Sequence, residues 1–455
     1  MSVLREAVAP EFTAPVLIVG GGAAGLVAAL AAAEFGAEVV VLERDALPRG
    51  STALSAGLIP AAGTRWQAAC GIVDDPETFA ADVQKKAGGA ADPRSVAAVT
   101  KGAAGTIEWL ADRHGLAFSL VDDFDYPGHR RRRMHGLPTR AGAELMDALL
   151  EAAQRAGVTL VTGATVTHLH ADASDAVRAA TIARPDGSTE LVGCDVLILA
   201  CSGYGGNPAL VARHIPELAG AVYFGHAGNR GDALRWGEAL GAATRHLSGH
   251  QGHGSVAHPA GILVTWAVIM EGGFQVNQTG RRFWNEASGY SEAAAAVLAQ
   301  PSGVAWNIFD SRIAKVARQF EDFRQAEAHG TIVAAESWEE LTERTGLPAI
   351  ERPPTTGTDA FGRDWSLTHR LVPPFHAVRV TGALFHTQGG LVVDEAARVL
   401  RPDGRPLPNL LAAGGAACGV SGPSASGYLS GNGLLTAVVL GRLAGQVAAS
   451  EHGMV

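Results

Sequence analysis

The clearest pattern of apolar and polar positions lies near the amino terminus, at residues 16–45. The β-branched run VLIV is followed by glycines, an Ala/Leu-rich stretch and a second apolar run, VVVL, which ends at ERD. A short continuous apolar run is typical of a buried strand, and the Ala/Leu stretch is typical of a helix. The pattern predicts a β-α-β unit.

Further elements follow along the chain. The segment RAGAELMDALLEAAQRAG predicts a helix, and VTLVTGATVTHLH alternates like a strand. A Pro-Asp-Gly turn at 185–187 predicts a hairpin, whose second strand is a continuous apolar run that ends at a second glycine cluster, Gly203, Gly205 and Gly206. The stretch GNGLLTAVVLGRLAGQVAA predicts a closing helix.

The amino-acid composition changes between about residues 245 and 375. This stretch is richer in His, Trp, Pro and charge, with helices such as SRIAKVARQFEDFRQAEAHG and without strongly apolar strands between them. We therefore predict an α/β protein in which a Rossmann-type nucleotide-binding domain carries an inserted α+β domain. The predicted boundaries are 1–244 and 376–455 for the first domain and 245–375 for the insert.

Composition excludes several classes of function. The chain has 455 residues, of which 47% are hydrophobic and 18% charged, and its 36 basic and 45 acidic residues give a net charge of −9. Nucleic-acid binders usually carry a basic surface, so we expect no nucleic-acid partner. The one basic run, Arg130 to Arg133, is by default a solvated surface loop. An inward-pointing arginine there would instead supply one carboxylate contact.

Four cysteines, Cys70, Cys194, Cys201 and Cys418, form no Cys-x-x-Cys pair. This spacing argues against zinc, iron–sulfur clusters and disulfides, and we expect no metal. The amino terminus lacks the apolar stretch of a signal peptide, and no apolar run reaches about 18 residues without a charge. We therefore expect a cytoplasmic protein with no transmembrane segment.

The glycines of the first β-α-β unit carry the strongest chemical signal. Gly20, Gly22 and Gly25 stand in the G-x-G-x-x-G spacing, which allows a tight turn, close approach to a pyrophosphate and close helix–strand packing. Glu43 ends the second strand, where a carboxylate can accept hydrogen bonds from ribose hydroxyls. The alternative is that these glycines serve only close packing of the helix on the strands. The flanking strands and the acidic residue in the same short unit favour a dinucleotide site instead.

These motifs together resemble the flavoprotein family of fumarate reductase, succinate dehydrogenase, aspartate oxidase and the ring-desaturating ketosteroid dehydrogenases. The further landmarks are RGSTALSAG, ILACSGYGGNP, GDALRWGEALGA, GGFQVNQTGRRFWNE, FHTQGG and NLLAAGGAACGVSG with GYLSGNGLL. The resemblance implies FAD in the Rossmann-type domain, with a capping domain over the isoalloxazine and the site between them.

The resemblance also implies how FAD is held. Covalent-flavin members carry a histidine in the loop that reads RGSTALSAG here, so we expect non-covalent FAD. The start of the last helix, at Gly431, would point towards the pyrimidine end of the flavin. The expected FAD contacts are Gly20, Gly22, Ala23, Ala24, Gly25, Glu43, Arg44, Ser51, Thr52, Ser55, Ala56, Gly57, Ala200, Ser202, Gly203, Asn207, Gly414, Gly431, Asn432, Gly433, Leu434 and Leu435.

The substrate positions of the family are only partly kept. His253 and Thr265 retain the spacing of a carboxylate-binding histidine and threonine, but the following glutamate is Trp266. Tyr290 falls near the position of the proton-donating arginine. The alternatives are a packing role for Tyr290 and a site role for His258 in place of His253.

In the family, a second histidine and an arginine bind the other carboxylate of the substrate, and this pair is altered as well. His386 matches the histidine of the family motif H-T-x-G-G, but Tyr428 replaces the arginine of a second segment. Two guanidiniums that would bind a dicarboxylate in bidentate fashion are thus missing, which disfavours fumarate and succinate.

The resemblance to ketosteroid dehydrogenases offers a role for these tyrosines. It implies Tyr428, with a backbone N–H near Gly431 or Asn432, as the group that polarises a ketone, and Tyr290 as the α-proton acceptor with Tyr126 as its partner. His253 or another tyrosine could relay the proton, and Tyr126 could equally be a packing residue.

We therefore expect an FAD-dependent dehydrogenase that introduces a C=C bond next to the carbonyl of a cyclic ketone, such as a cyclohexanone carboxylic acid or a 3-ketosteroid-like ring. Its electrons would pass to oxygen, a quinone or a carrier protein. The alternatives are a reductase of an activated C=C bond and a flavin-binding protein without turnover.

Overall fold

The structure is a computed structural model that describes residues 2–122 and 126–451. Its strands, in chain order, are β1 (Ser2–Leu4), β2 (Phe12–Val19), β3 (Val39–Leu42), β4 (Ile59–Pro60), β5 (Ser119–Leu120), β6 (Met134–Gly136), β7 (Thr159–Val161), β8 (Thr165–Ala171), β9 (Val177–Ala183), β10 (Thr189–Leu199), β11 (Val222–Tyr223), β12 (Thr244–Arg245), β13 (His250–Ala257), β14 (Ile262–Leu263), β15 (Phe274–Val276), β16 (Val304–Asp310), β17 (Ile332–Ala335), β18 (Phe375–Thr387), β19 (Gly390–Leu391), β20 (Arg398–Leu400) and β21 (Pro406–Ala412).

The α-helices, again in chain order, are α1 (Ala23–Glu34), α2 (Gly50–Ala53), α3 (Arg65–Ala69), α4 (Pro76–Lys86), α5 (Pro93–His114), α6 (Gly142–Arg155), α7 (Pro208–His214), α8 (Asp232–Ala239), α9 (Ala267–Met270), α10 (Tyr290–Leu298), α11 (Ser311–Ala317), α12 (Glu321–Ala328), α13 (Trp338–Thr345) and α14 (Asn432–Glu451).

The chain forms two compact units. Unit 1 comprises the described residues of Met1–Leu210, Gly225–His250 and His386–Val455, and unit 2 comprises Val211–Phe224 and Gln251–Phe385. Residues 211–224 belong to unit 2, whereas the predicted boundaries place them in the first domain because nothing in their composition sets them apart. The chain has the predicted α/β fold, a Rossmann-type domain with an inserted α+β domain.

Unit 1 is built on a nine-stranded sheet in the order β1-β8-β9-β10-β2-β3-β7, with β21 paired to β10 and β20 to β21. β2 runs parallel to both β3 and β10, whereas β9 and β10 form the predicted antiparallel hairpin. The β2-α1-β3 unit is thus confirmed. It lies at the centre of the sheet because its apolar runs are buried on both faces.

Helix α1 packs closely against α14. Ten of its residues, Ala23 to Ala32, are buried. A Cβ added at Gly441 would lie 2.5 Å from the Ala24 carbonyl oxygen, and one at Gly445 would lie 2.1 Å from that of Ala28. The small residues therefore let the two helix backbones approach. Among the described helices, α14 is long and apolar enough to cross a membrane, but 56% of its apolar window is buried inside the protein.

Unit 2 contains a seven-stranded sheet in the order β14-β13-β18-β16-β15, with β11 and β17 also paired to β18. The expectation that this region lacks strongly apolar strands was wrong. β16 is a central strand with six of its seven residues buried. Its polar Asn307 is fully buried and bonds to Gln275 (2.8 Å) and Ser255 (2.6 Å), and such a satisfied polar residue masks a core strand in the sequence.

Two other predicted elements are divided. The helix predicted over SRIAKVARQFEDFRQAEAHG is α11 followed by α12, because Phe320 between them has extended backbone angles. The strand predicted over VTLVTGATVTHLH is β7 and β8, separated by a turn in which Gly163 has φ of +60°. β7 pairs with β3 and β8 with β1 and β9, so the two halves lie in different parts of the sheet.

Candidate functional site

The glycine turn after β2 forms a tight cradle at the start of α1. Gly20 has φ of +109°, and a Cβ added there would lie 2.6 Å from the Ala200 carbonyl oxygen. A Cβ added at Gly25 would lie 1.9 Å from the Gly20 carbonyl oxygen. Gly22 caps α1 without any side-chain hydrogen bond. Apart from the Ala23 N–H, which donates to Thr52 Oγ1, the N–H groups at this helix start can therefore bind an anionic group such as a pyrophosphate.

Glu43 and Arg44 follow β3 beside this turn. The Glu43 carboxylate accepts hydrogen bonds from the Gly21 N–H (2.8 Å) and the Asp45 N–H (3.0 Å). Arg44 donates to the buried Asp232 at 2.9 Å. Glu43 is thus fixed at the end of β3, where its carboxylate can meet a ribose. Asp232 was not predicted as a site residue, although it lies in the landmark segment GDALRWGEALGA.

The loop 50–57 is tied down by its own hydroxyls. Thr52 Oγ1 accepts a hydrogen bond from the Ala23 N–H (3.2 Å) at the start of α1. Ser51 Oγ accepts from the His226 N–H (3.0 Å) and from Asn229 Nδ2 (2.8 Å). Ser55 Oγ donates to the Thr52 carbonyl at 2.6 Å. These contacts bring the loop against the glycine turn, and Ala56 and Gly57 lie at its end.

The second glycine cluster follows β10. After Ala200, Ser202 has φ of +65°, and a Cβ added at Gly203 would lie 2.1 Å from Thr387 Oγ1. A Cβ added at Gly415 would lie 2.8 Å from the Gly203 nitrogen. Gly203 and the Gly414–Gly415 turn are thus brought together at the ends of β10 and β21. Asn207 Nδ2 donates to the Arg230 carbonyl at 3.1 Å, and its contact with FAD stays a prediction.

A buried polar network lies at the start of α14. Asn432 Nδ2 donates to Ser421 Oγ (3.0 Å), Ser421 Oγ donates to Gln388 Oε1 (2.6 Å), and Gln388 Nε2 bonds to His386 Nδ1 (2.9 Å). Gly431, just before the helix, has φ of +87°. Sequence reasoning missed Gln388 and Ser421. Gln388 falls at the variable position of H-T-x-G-G, so the motif itself gives no signal for it.

These residues fit FAD. In the glycine turn, neighbouring backbone atoms lie so close to Gly20 and Gly25 that neither position has room for a side chain. Asn432 is fully buried, and its Oδ1 has no hydrogen-bond partner within residues 2–122 and 126–451, as expected of an acceptor that bonds to a cofactor N–H. Gly433, Leu434 and Leu435 continue the first turn of α14, whose positive dipole end favours negative charge.

His386 and Tyr428 lie together in unit 1. Their rings meet edge to face with centroids 5.3 Å apart. Burial lowers the pKa of His386 to about 4, so its imidazole is neutral at pH 7. Burial raises the pKa of Tyr428 to about 12, against an opposing effect of the Gly433 and Gly431 backbone N–H groups. Tyr428 is therefore a neutral phenol held beside the start of α14.

His253 lies in unit 2 within a group of aromatic rings. It stacks on Tyr290 with centroids 5.2 Å apart and an interplanar angle of 25°, and it meets Trp266 edge to face at 5.8 Å. Burial lowers the pKa of His253 to about 3. A stacked, neutral imidazole directs its N–H groups away from the face of the phenol. The role of His253 as the proton relay of Tyr290 stays a prediction.

The other expected site residues of unit 2 differ in exposure. Thr265 Oγ1 accepts a hydrogen bond from the Ala267 N–H (3.3 Å) and so helps to start α9. His258, the alternative to His253, is exposed at the end of β13. The buried His253 is therefore the better candidate. Tyr290 is the first residue of α10, directly after Gly289.

Tyr126 lies in unit 1 against a small apolar cluster of Leu58, Val121 and Met134. Its carbonyl oxygen accepts a hydrogen bond from the His129 N–H at 3.2 Å. This environment agrees with the packing alternative. Residues 123–125 of the same segment lie outside the described residues. The catalytic roles expected of Tyr126, Tyr290 and Tyr428 stay predictions.

The basic run is not simply a solvated loop. The Arg133 side chain is fully buried and binds Asp74 with two hydrogen bonds of 2.9 Å and Asp82 with one of 2.6 Å. Arg130 also pairs with Asp82, at 2.5 Å. The default surface interpretation is therefore wrong for Arg133. Because two buried carboxylates face this guanidinium, it is a structural ion pair.

His129 links this ion pair to the start of α14. Its Nε2 lies 2.9 Å from the Ser430 carbonyl oxygen, and its Nδ1 lies 3.4 Å from Arg133 Nη1. Burial lowers the pKa of His129 to about 4, so the neutral ring donates its Nε2–H to that carbonyl. This contact could not be predicted from the sequence, because 301 positions separate the two residues.

Comparison with known proteins identifies the family. The model of the FAD binding domain family matches residues 15–434. A probable fumarate reductase from Shewanella frigidimarina is 30% identical, over 98% of this chain and 77% of its own length. A 4-oxocyclohexanecarboxylate 2-dehydrogenase from Sinomonas cyclohexanicum is 24% identical, over 98% and 95%.

A solved structure supports the same assignment. The 3-ketosteroid-Δ4-(5α)-dehydrogenase from Rhodococcus jostii, in complex with 4-androstene-3,17-dione, is similar with a TM-score of 0.76 and 25% identity, over 98% of this chain and 99% of that one. The chain belongs to the FAD binding domain family. It is an FAD-dependent oxidoreductase of the group that acts on CH–CH and C=C bonds, and the predicted cofactor FAD is confirmed.

Proposed function

We propose that this flavoenzyme is a dehydrogenase that introduces a C=C bond α,β to the carbonyl of a cyclic ketone, such as a cyclohexanone carboxylic acid or a 3-ketosteroid-like ring. The observation that carries the proposal is Tyr428, a buried neutral phenol beside the neutral His386 at the start of α14. A neutral donor there suits a ketone oxygen, whereas the arginine of the family suits a carboxylate.

Each tyrosine has a role in the proposed reaction. Tyr428 and a backbone N–H of Gly431 or Asn432 donate hydrogen bonds to the ketone oxygen, which acidifies the α-C–H bond. Tyr290 accepts the α-proton, with Tyr126 as its partner. FAD, when bound, supplies the acceptor for the β-hydrogen and its electron pair. The α- and β-C–H bonds break, the C=C bond forms, and oxygen, a quinone or a carrier protein later takes the two electrons.

The hydrogen bonds at the ketone oxygen would do most of the catalytic work. Negative charge develops on that oxygen as the α-proton leaves, and preorganised donors in a buried site stabilise it without reorganisation. Because the Tyr428 phenol has a pKa of about 12, it keeps its proton throughout the neutral range and remains a donor. The same raised pKa makes Tyr428 a poor general base at neutral pH.

The test is anaerobic mixing of the oxidised protein with cyclic ketones while the oxidised flavin absorption band is followed. The panel contains 4-oxocyclohexanecarboxylate, its methyl ester, cyclohexanone and a 3-ketosteroid. Loss of the band with one ketone, together with the corresponding enone in the product, would support the proposal. A protein that none of these ketones reduces would contradict it.

A reductase of an activated C=C bond is the second candidate. It is favoured by the probable fumarate reductase, whose identity to this chain is higher than that of the ketone dehydrogenases compared above. Trp266 and Tyr290 stand against it, because neither is the glutamate or arginine that delivers a proton in fumarate reductases. Reoxidation of the chemically reduced protein by fumarate or an enone, without reduction by any ketone, would support this candidate instead.

A further inference from the structure

The buried network at the start of α14 joins Asn432 to His386 without a break. Asn432 bonds to Ser421 (3.0 Å), and Ser421 bonds to Gln388 (2.6 Å). Gln388 bonds in turn to Nδ1 of His386 (2.9 Å). Asn432 and Ser421 are fully buried, and Gln388 is 5% exposed. Because these groups are shielded from solvent, the direction of each hydrogen bond depends on its neighbours in the network.

Gln388 is held firmly between its two partners. It lies two positions after His386 at the end of β18, where alternate side chains point to the same side. Its N–H donates to the Gly249 carbonyl, and its carbonyl accepts from the Gly419 N–H, both at 2.8 Å. The amide of Gln388 is therefore fixed against both His386 and Ser421.

The network has two complete proton orders. An amide has its donor and its acceptor at opposite ends, so a reversal at one link leaves a buried group unpaired unless the other links reverse too. In the first order Asn432 gives its NH2 to Ser421. Gln388 then gives its NH2 to His386 Nδ1, and the ring proton lies on Nε2. In the second order both amides are turned over, and the ring proton lies on Nδ1.

The free end of Asn432 selects between the two orders. In the first order this end is Oδ1, which is buried and has no hydrogen-bond partner within the described residues. FAD, whose pyrimidine end is expected at the start of α14, offers carbonyl oxygens and one N–H there. The backbone N–H groups of the first helical turn can serve the carbonyl oxygens, but the flavin N–H needs an acceptor. Bound FAD therefore favours the first order.

In the first order His386 presents an N–H at Nε2. The other polar contact of the ring within the described residues is also at Nδ1, with the Thr387 carbonyl at 3.5 Å, which is too long to compete with the bond from Gln388. The Nε2 edge lies beside α14, where a Cβ added at Gly433 would be 2.9 Å from Nε2. His386 and Gly433 are both partly exposed, so a ligand can reach the ring.

We propose that Gln388 and Ser421 are positioning residues that couple bound FAD to His386. FAD at Asn432 orders the network, and the ordered network fixes the ring proton of His386 on Nε2. Since burial lowers the pKa of His386 to about 4, the ring also stays neutral and is a poor proton acceptor. Under the proposed dehydrogenase function, on which this last step rests, the Nε2–H is a further donor to the ketone oxygen beside Tyr428.

The test follows the ring proton of His386 directly. The oxidised, FAD-loaded protein is prepared with isotope-labelled histidine, because the NMR shift of a ring nitrogen shows whether it carries a proton. The signals of His386 are identified by their loss in His386→Asn. We expect the wild type to carry the proton on Nε2 alone at neutral pH.

Ser421→Ala breaks the network without removing a hydrogen-bond partner of His386. Either end of the Gln388 amide can then face Nδ1, so both ring tautomers of His386 should become populated. Asn432 also loses the partner that holds its Oδ1 towards FAD. The rate of FAD release, measured from the rise in flavin fluorescence, should therefore increase about 3- to 10-fold, as for one weakened hydrogen bond. Gln388→Met, which fills the volume without an amide, should produce the same two effects and replaces Ser421→Ala if that variant does not fold.

Ser255→Ala is the matched control. Ser255 is also fully buried, and its hydroxyl also accepts an amide N–H, from Asn307 at 2.6 Å, but it lies in unit 2. This variant should leave the His386 signals and the rate of FAD release unchanged. Equal changes in Ser255→Ala and Ser421→Ala would show a general effect of lost packing and would contradict the coupling.

Three further results would overturn the inference: a wild-type proton on Nδ1, an unchanged His386 tautomer when the network is broken, or an effect on His386 without one on FAD release. None of these measurements uses a ketone, so they are independent of the proposed dehydrogenation. A protein that shows the coupling but oxidises no ketone would keep this inference and lose the proposed function. A protein that oxidises a ketone with an unchanged His386 tautomer in Ser421→Ala would lose only the coupling.

Discussion

Replacement of Arg133 by methionine tests the buried ion pair beside the start of α14. The guanidinium and both carboxylates, Asp74 and Asp82, have side chains at most 1% exposed. In Arg133→Met, Asp82 keeps its pairing with Arg130, but among the described residues Asp74 keeps only the Gln67 amide, at 2.9 Å. Removal of one partner of a buried ion pair costs about 3–5 kcal/mol, and we expect this loss in the free energy of unfolding.

The pH dependence has a definite sign. Burial raises the pKa of Asp82, but hydrogen bonds from Arg130 and Arg133 lower it by more than burial raises it. The pKa of Asp82 therefore lies below its ordinary value. Such a group contributes stability above its unfolded pKa of about 3.9, and the contribution is lost as pH falls through the folded pKa. The deficit of Arg133→Met should therefore be full from neutral pH down to about pH 4 and narrow only below that pH, as Asp82 becomes protonated.

The assay is urea unfolding of the FAD-loaded protein, followed by tryptophan fluorescence at several pH values. The control is Arg113→Met, because Arg113 is 66% exposed and its pair with Glu34 should contribute less than about 1 kcal/mol. Adding Asp74→Asn to Arg133→Met should recover part of the loss. A deficit below about 1 kcal/mol for Arg133→Met, or one that grows on acidification, would refute the reasoning.

Three further predictions concern the site. Tyr428→Phe should keep FAD and lower kcat for the ketone about 10²- to 10³-fold, because one donor to the developing enolate is lost; a normal kcat would contradict this. Tyr290→Phe should likewise keep FAD and abolish dehydrogenation, measured as loss of anaerobic flavin reduction, and normal turnover would show that another group takes the proton. Gly25→Ala should abolish FAD binding, measured as the ratio of flavin to protein absorbance, because its Cβ would lie 1.9 Å from the Gly20 carbonyl oxygen. Gly105→Ala is the control: its Cβ meets only Arg442 Nη1, at 3.7 Å, so FAD should be retained, and equal flavin content in the two variants would contradict the argument.

Some of the site could be predicted from the sequence because its causes are local. The strand, glycine turn, helix and acid of residues 16–43 stand within one short segment, and glycine is required there by contacts with the turn's own backbone and with Ala200. The resemblance then indicated His386, Tyr428, His253 and Tyr290. The structure places the first two in ring contact in unit 1 and the last two in ring contact in unit 2.

Other features depend on residues that are distant in the chain. The His129 contact with Ser430 and the burial of Arg133 have no local signature, because a run of arginines looks the same whether it meets solvent or buried carboxylates. Strands were expected in the inserted α+β domain, but its buried core strands were not recognised, for a related reason. Polar residues such as Asn307 interrupt the apolar pattern of these strands. Such residues can be buried because partners on other strands satisfy their hydrogen bonds.

The sequence by itself thus determined the cofactor class and the framework of the FAD-binding domain, since backbone sterics and hydrophobic periodicity act over a few residues. Only the tertiary structure decided the chemical state of the side chains in the site. Whether a histidine or a phenol is neutral depends on the desolvation and hydrogen bonds that distant segments supply, as His253 and Tyr428 show.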